Sequence, residues 1–129
     1  MTKAFNNLLI CMAVIFICMA TSSWIQSSGG QVAVSKIVLP TQNGQSLAAT
    51  LFKPISATSD TPAPFVAVVP GFQRSREALS NIAIELSRRG FVAVSIDPYG
   101  QGSSSSSMST RSATYEGYGM SALIDYVLS

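Results

Sequence analysis

The sequence predicts an α/β protein: an antiparallel hairpin, then parallel strands joined by a crossover helix, all preceded by an apolar helix. Three observations carry this. Leu8 to Ala20 (LLICMAVIFICMA) is uncharged and almost wholly apolar, Val32 to Lys53 holds two β-rich runs around an Asn-Gly turn signal, and Phe65 to Ile96 reads strand, helix, strand.

The apolar segment follows Lys3, the one positive charge ahead of it. Two readings compete. Thirteen apolar residues after a lysine match the core of a signal peptide, with the small residues Ala20 and Ser22 offering a cleavage site. Counted through Ile25 the stretch reaches 18 residues, within the roughly 17 to 25 needed to span a bilayer, and Trp24 falls where an interfacial aromatic belongs. The uncleaved anchor is the preferred reading, through residues 8–25. Either way, the charge at Lys3 places the remainder of the chain outside the cytoplasm, membrane-tethered or else secreted. Cys11 and Cys18 lie inside this run and read as small apolar membrane-facing residues, not as a disulfide or zinc framework. Ile10 and Ile17 precede them, so neither follows the small residue of a lipoprotein cleavage site.

Gln26 to Gly30 (QSSGG) reads as a short flexible spacer. Val32 to Leu39 (VAVSKIVL) and Ser46 to Lys53 (SLAATLFK) are the two strands of a hairpin about Thr41 to Gly44 (TQNG). Pro54 to Pro64, with three prolines, is a surface loop. Phe65 to Val69 (FVAVV) is the continuous apolar run of a strand covered on both faces. Arg76 to Arg89 places Leu79, Ile82, Ala83 and Leu86 at helical spacing, with Ser75 as N-cap, Glu77 in the first turn and Gly90 as the stop. Arg76, Glu77, Arg88 and Arg89 read as solvated charges of that helix. Phe91 to Ile96 is the next strand, so the crossover is right-handed and parallel. Pro98 to Ser112 is a Gly- and Ser-rich loop. Tyr115 to Leu128 is a helix whose Met120, Leu123, Ile124, Val127 and Leu128 would face the sheet. No further strand follows that helix, so the sequence reads as interrupted.

Length and composition narrow the function. The 129 residues have room for one domain at most. The net charge of +2, from 8 basic and 6 acidic residues without a basic run, speaks against nucleic acid as a partner. The absence of histidine excludes a Ser-His-Asp or Cys-His relay within these residues and removes the commonest metal ligand, so neither a metal nor a cofactor is expected.

Two spaced motifs carry a resemblance. Pro70-Gly71-Phe72 ends a buried strand, and after one helix comes Arg89-Gly90-Phe91-Val92-Ala93-Val94-Ser95-Ile96-Asp97-Pro98-Tyr99-Gly100-Gln101-Gly102-Ser103. This order resembles the first half of the α/β-hydrolase fold, most closely its dienelactone-hydrolase and acyl-peptidase-like branch, over roughly Val32 to Leu128. The resemblance implies residues 1–25 as a transmembrane anchor or signal peptide, 26–31 as a spacer and 32–129 as a truncated α/β-hydrolase domain. It implies a serine hydrolase acting on an ester, thioester or peptide bond, with a small-molecule or peptide acyl substrate in the intact protein. Acyl transfer develops negative charge on the substrate oxygen, which backbone N–H groups at a strand end can stabilise. The implied oxyanion-hole loop is Gly71, which permits a tight approach, and Phe72, whose backbone N–H is a donor; Gln73 is a weaker second donor. Pro70 stands where the family often has His, and proline holds the turn without that side chain's hydrogen bonds. Asp97 is implied to organise its loop, not to be the triad acid. None of Ser103 to Ser107 lies in Gly-x-Ser-x-Gly, so none is implied as the nucleophile. Tyr115 and Tyr118 are pocket-lining or, more simply, helix-packing residues. The nucleophile elbow, the acid and the histidine are all missing, so these residues alone are expected to be inactive. The alternative is a complete small non-catalytic membrane-anchored α/β binding module.

Overall fold

The computed structural model describes residues 2–71, 74–105 and 113–128, leaving aside the side chains of residue 2 and of residues 113–116. The first helix, α1 (Thr2–Gln26), covers the apolar run, whose residues are all exposed. It is long and apolar enough to cross a membrane. Within the apolar run the Thr21 hydroxyl is satisfied by the helix itself, donating to the Ile17 carbonyl at 2.8 Å. Cys11 and Cys18 are free thiols on its exposed face.

The expected flexible spacer is instead a hydrogen-bonded helix end. Gly29 N–H bonds to the Trp24 carbonyl at 2.8 Å and Val32 N–H to the Ser27 carbonyl at 3.0 Å. Ser28, Gly29 and Gly30 all take positive φ, which reverses the chain directly into the sheet. The two glycines allow this; without them the run of left-handed residues would be strained.

Four strands form one sheet in the order β1-β2-β4-β3. β1 (Val32–Pro40) and β2 (Ser46–Pro54) pair antiparallel from Val32↔Pro54 to Pro40↔Ser46. The turn between them is closed by Thr41 N–H on the Gln45 carbonyl, with Gly44 at φ +75°. β4 (Val92–Ile96) is the centre, antiparallel to β2 and parallel to β3 (Phe65–Val68). Among the described residues β3 pairs on one side only.

Helices cover both faces. Residues 76–79 form a 3₁₀ turn that leads into α2 (Ser80–Arg88), so the helix predicted from Arg76 begins as a tighter coil. Ser75 occupies the N-cap position but makes no side-chain cap bond; its hydroxyl goes to the Glu77 carboxylate instead. The face turned to the sheet is centred on Ala83 and Ser87, four residues apart, with Leu79 and Leu86 beside them; Ile82, expected there, is exposed. Small residues let the helix approach closely, and the buried Ser87 hydroxyl donates to the Phe52 carbonyl at 2.8 Å. Gly90 ends the helix at φ +93°, as expected. This layer closes a core of Val32, Phe52, Val68, Ala83 and Ala93.

The opposite core joins Leu39, Leu47, Ala49, Val94, Ile96 and Leu123, the last from α3 (Ala113–Leu128). Gly119 lets α3 come down on Leu47: a Cβ there would stand 3.3 Å from a Leu47 methyl. The expected apolar stripe of α3 is only partly used. Met120 and Leu123 pack inward, whereas Ile124 is 49% and Leu128 81% exposed. The sheet beneath is four strands wide and ends at β3, which leaves part of the stripe without a partner among the described residues.

Candidate functional site

Parallel strands β3 and β4 end side by side, and each runs into one of the two motifs picked out in the sequence. In α/β sheets ligands gather outside these carboxyl ends. A cavity of about 80 Å3 opens there, walled by Val69, Pro70, Ile96, Pro98, Tyr99 and Met120. Its walls are apolar, and its volume is well below the roughly 300 Å3 at which small-molecule sites begin.

Asp97 ties the two motifs together. It is 0% exposed and sits immediately after β4. One carboxylate oxygen accepts the backbone N–H of Arg76 at 2.6 Å; the other accepts the Arg76 guanidinium at 2.5 Å and the Ser103 N–H at 2.8 Å. Four further contacts finish the loop. The Ser104 hydroxyl donates to the Asp97 carbonyl and accepts the Ala48 N–H at 2.8 Å. Ser105 donates to Gln45 Oε1 at 2.8 Å and accepts the Ser46 N–H at 2.6 Å. Gly102 is required by this packing: a Cβ on it would lie 2.2 Å from the Asp97 carboxyl carbon. Asp97 therefore organises its loop, as the resemblance implies, and Ser104 and Ser105 are consumed in holding that loop to the hairpin. Ser106 and Ser107 lie outside the described residues, as does the Tyr115 side chain; Tyr118 is half-buried on α3.

Arg76 overturns one expectation. It is not solvated but 7% exposed, and it pairs with Asp97. A cation at the start of a helix opposes the helix dipole. That misplacement was the sequence signal that Arg76 serves something other than the helix. Gln101 was missed as well: buried within the Gly-Gln-Gly tract, its Oε1 accepts the Arg74 N–H at 3.0 Å. Nothing in its local sequence marks that role. Arg88 and Arg89 are exposed and pair with Glu85, as solvated charges should.

The Pro70 motif is thus held from two points. The Gly71 carbonyl accepts the Arg74 N–H at 3.2 Å, and Gln101 and Asp97 fasten the chain at Arg74 and Arg76. Phe72 and Gln73, the candidate backbone donors, lie outside the described residues. Gly71 has open space where a Cβ would stand. Among the described residues no group of His, Cys, Asp or Glu side chains could hold a metal ion.

The architecture is that of the α/β-hydrolase fold, in its N-terminal part: an antiparallel hairpin, parallel strands joined by a crossover helix and an apolar helix in front. Solved structures place it there. The chain is similar to a hypothetical protein from Pseudomonas aeruginosa (26% identity, TM-score 0.64, covering 75% of this chain and 30% of that one). It is also similar to epoxide hydrolase A from Mycobacterium thermoresistibile (19%, 0.62, 75% and 29%). A third likeness is to a Butyrivibrio proteoclasticus protein bound to ferulic acid (21%, 0.61, 72% and 37%). The chain spans between 29% and 37% of the length of these proteins. No protein-family model matches it, and no curated protein gives a significant match.

Proposed function

We propose that this chain is the N-terminal part of a membrane-tethered serine hydrolase of the dienelactone-hydrolase and acyl-peptidase-like branch, acting outside the cytoplasm on an ester, thioester or peptide bond. The observation that carries it is the fastening of two loops at the carboxyl ends of β3 and β4, where Asp97 and Gln101 fix the turn that begins at Pro70. Such fixing is what an oxyanion hole requires, since its donors must be in place before charge develops. In this reading the Phe72 N–H is one donor and Gly71 gives the substrate room. The small apolar cavity beside them is the floor of the acyl site, to be completed by residues beyond position 129. The epoxide hydrolase and the ferulic-acid-bound protein among its structural neighbours keep the substrate class wide.

The roles of nucleophile, acid and base fall outside these residues, which hold no histidine and no Gly-x-Ser-x-Gly. Purified, the 129-residue chain should hydrolyse p-nitrophenyl acetate no faster than background. Turnover abolished by Ser104→Ala would sink this account. Downstream coding sequence supplies the complementary test: a β-rich run and Gly-x-Ser-x-Gly within the next ~20 codons are expected, since the elbow follows its strand directly. A native product of 13.6 kDa by mass measurement would favour the non-catalytic binding module instead.

A further inference from the structure

A second concave site, sharing no lining residue with the cavity at Pro70, lies on the α2 face of the sheet. It is a groove of about 280 Å3 whose polar side chains, Gln26, Lys36, Thr50, Arg76, Glu77 and Ser80, stand beside the apolar Val34, Phe52 and Ile84. Its composition is mixed in a specific way. Lys36 contributes an ammonium group and Glu77 an exposed carboxylate, while Thr50 and Ser80 bring hydroxyls. One buried donor, Arg76 Nε, has no hydrogen-bond acceptor; it stands 3.4 Å from Glu77 Oε1, close enough for attraction but not aligned for a bond. Leaving such a donor unpaired costs free energy, and an incoming oxygen would recover it.

The groove's position is as informative as its chemistry. Gln26 is the last residue of α1, two residues or about 3 Å along the axis beyond Trp24. Trp24 is the residue expected at the bilayer interface. A groove that Gln26 helps to line is then level with lipid headgroups. A purely anionic ligand would meet Glu77 unfavourably. A ligand carrying a phosphate and a primary ammonium would satisfy both signs.

We propose that this groove holds the headgroup of a phosphatidylethanolamine lipid, its phosphate on Lys36 and the Arg76 Nε–H and its ammonium on Glu77. The inference rests on the anchor reading of α1. Headgroup binding would fix the domain's tilt on the membrane, using Lys36 and Glu77, which make no bond to Asp97, and the Arg76 Nε–H, which Asp97 does not engage.

The test uses the full chain in phosphatidylcholine nanodiscs, with backbone amide shifts recorded during titration with dihexanoyl-phosphatidylethanolamine. Saturable shifts are expected at Val34, Lys36, Thr50, Glu77 and Ser80. Lys36→Ala should weaken binding roughly tenfold, the scale of one charge-assisted contact. Glu77→Gln should abolish the preference over dihexanoyl-phosphatidylcholine. Both residues are exposed, so neither variant threatens the fold. Equal shifts with the ethanolamine, choline and glycerol headgroups, or shifts confined to α1, would overturn the proposal. Free phosphoethanolamine binding as tightly as the lipid would also overturn it, by making the groove a site for a soluble ligand. Trp24, the sole tryptophan, separates the two readings. Quenching by brominated lipid without groove shifts removes this proposal alone, whereas an unquenched Trp24 removes the anchor and the lipid with it.

Discussion

Two regions of this molecule break the usual rule of burial in opposite directions. Asp97 is a charge with 0% exposure, and Phe16 in α1 is a phenyl ring with 72%. The first is tolerated because every lone-pair direction that matters is met by Arg76 or by a backbone N–H. The second is tolerated only if its solvent is not water. Burial at Asp97 thus follows the local partner and not residue type alone, and the anchor reading of α1 would extend the rule to the local medium. The contrast can be attacked from either side.

The largest effect should come from the apolar side. Removing residues 1–26 should abolish co-flotation with phosphatidylglycerol vesicles altogether, because a transmembrane helix contributes essentially all of the membrane affinity. Flotation undiminished by the deletion would show that the exposed apolar surface of α1 is not what meets the bilayer.

The buried charge comes next. Asp97→Ala leaves the buried Arg76 guanidinium with only the exposed Glu77 carboxylate, 3.4 Å from its Nε, and a urea melt should show a loss of about 3 kcal/mol. Replacing both, as Arg76→Met with Asp97→Leu, should recover only part of that loss. Two backbone donors, at Arg76 and Ser103, would still lack an acceptor at about 1–3 kcal/mol each. Full recovery would mean that Asp97 matters only as a counter-ion and not as the organiser of the loop.

Glycine substitutions sharpen the comparison at smaller scale. Gly44 and Gly102 both have positive φ, but only Gly102 has the Asp97 carboxylate 2.2 Å from where a Cβ would stand. Gly44→Ala should cost about 1 kcal/mol of backbone strain. Gly102→Ala should cost distinctly more in the same thermal melt, since the carboxylate itself must move. Equal costs would remove the claim of close packing.

The smallest effect belongs to Glu77. The Ser75 hydroxyl and its own backbone N–H hold its carboxyl below the ordinary glutamate value of 4.5, with Arg76 and Lys36 adding to the effect. A carboxylate stabilised in the folded state adds stability above that value and loses it as the pH falls through the lowered one. Glu77→Gln should therefore be slightly destabilising at pH 7, by no more than a few tenths of a kcal/mol for so exposed a group, and neutral in strong acid. A difference that persists unchanged at pH 2 would assign the effect to packing.

Much of the architecture was legible in the residues. Strand runs read from Val32, Ser46, Phe65 and Phe91 announced themselves by apolar patterning and by Asn-Gly, Pro and Gly punctuation, and each became a strand, the last beginning at Val92. These signals are local, and the forces behind them act over a few residues. Side-chain direction was less legible. Ile82, Ile124 and Leu128 fit helical spacing yet lie exposed, because periodicity marks an apolar stripe without saying how wide the surface beneath it is. The spacer was misjudged for a related reason: Ser and Gly suggest flexibility, but three successive left-handed residues closed by hydrogen bonds make a fixed reversal.

By itself, then, the sequence determined the membrane-length helix, the order of strands and helices, the absence of a histidine relay and the two motifs at Pro70 and Asp97, all of them properties of neighbouring residues. Only the tertiary structure decided that Arg76 is buried on Asp97, that Gln101 clamps Arg74 and that Ser104 and Ser105 belong to the hairpin. Those contacts join positions 21 to 59 residues apart. Beyond the misplaced charge of Arg76, no pattern along the chain records them, because what selects them is the need to satisfy buried polar groups once the sheet has brought the strand ends together.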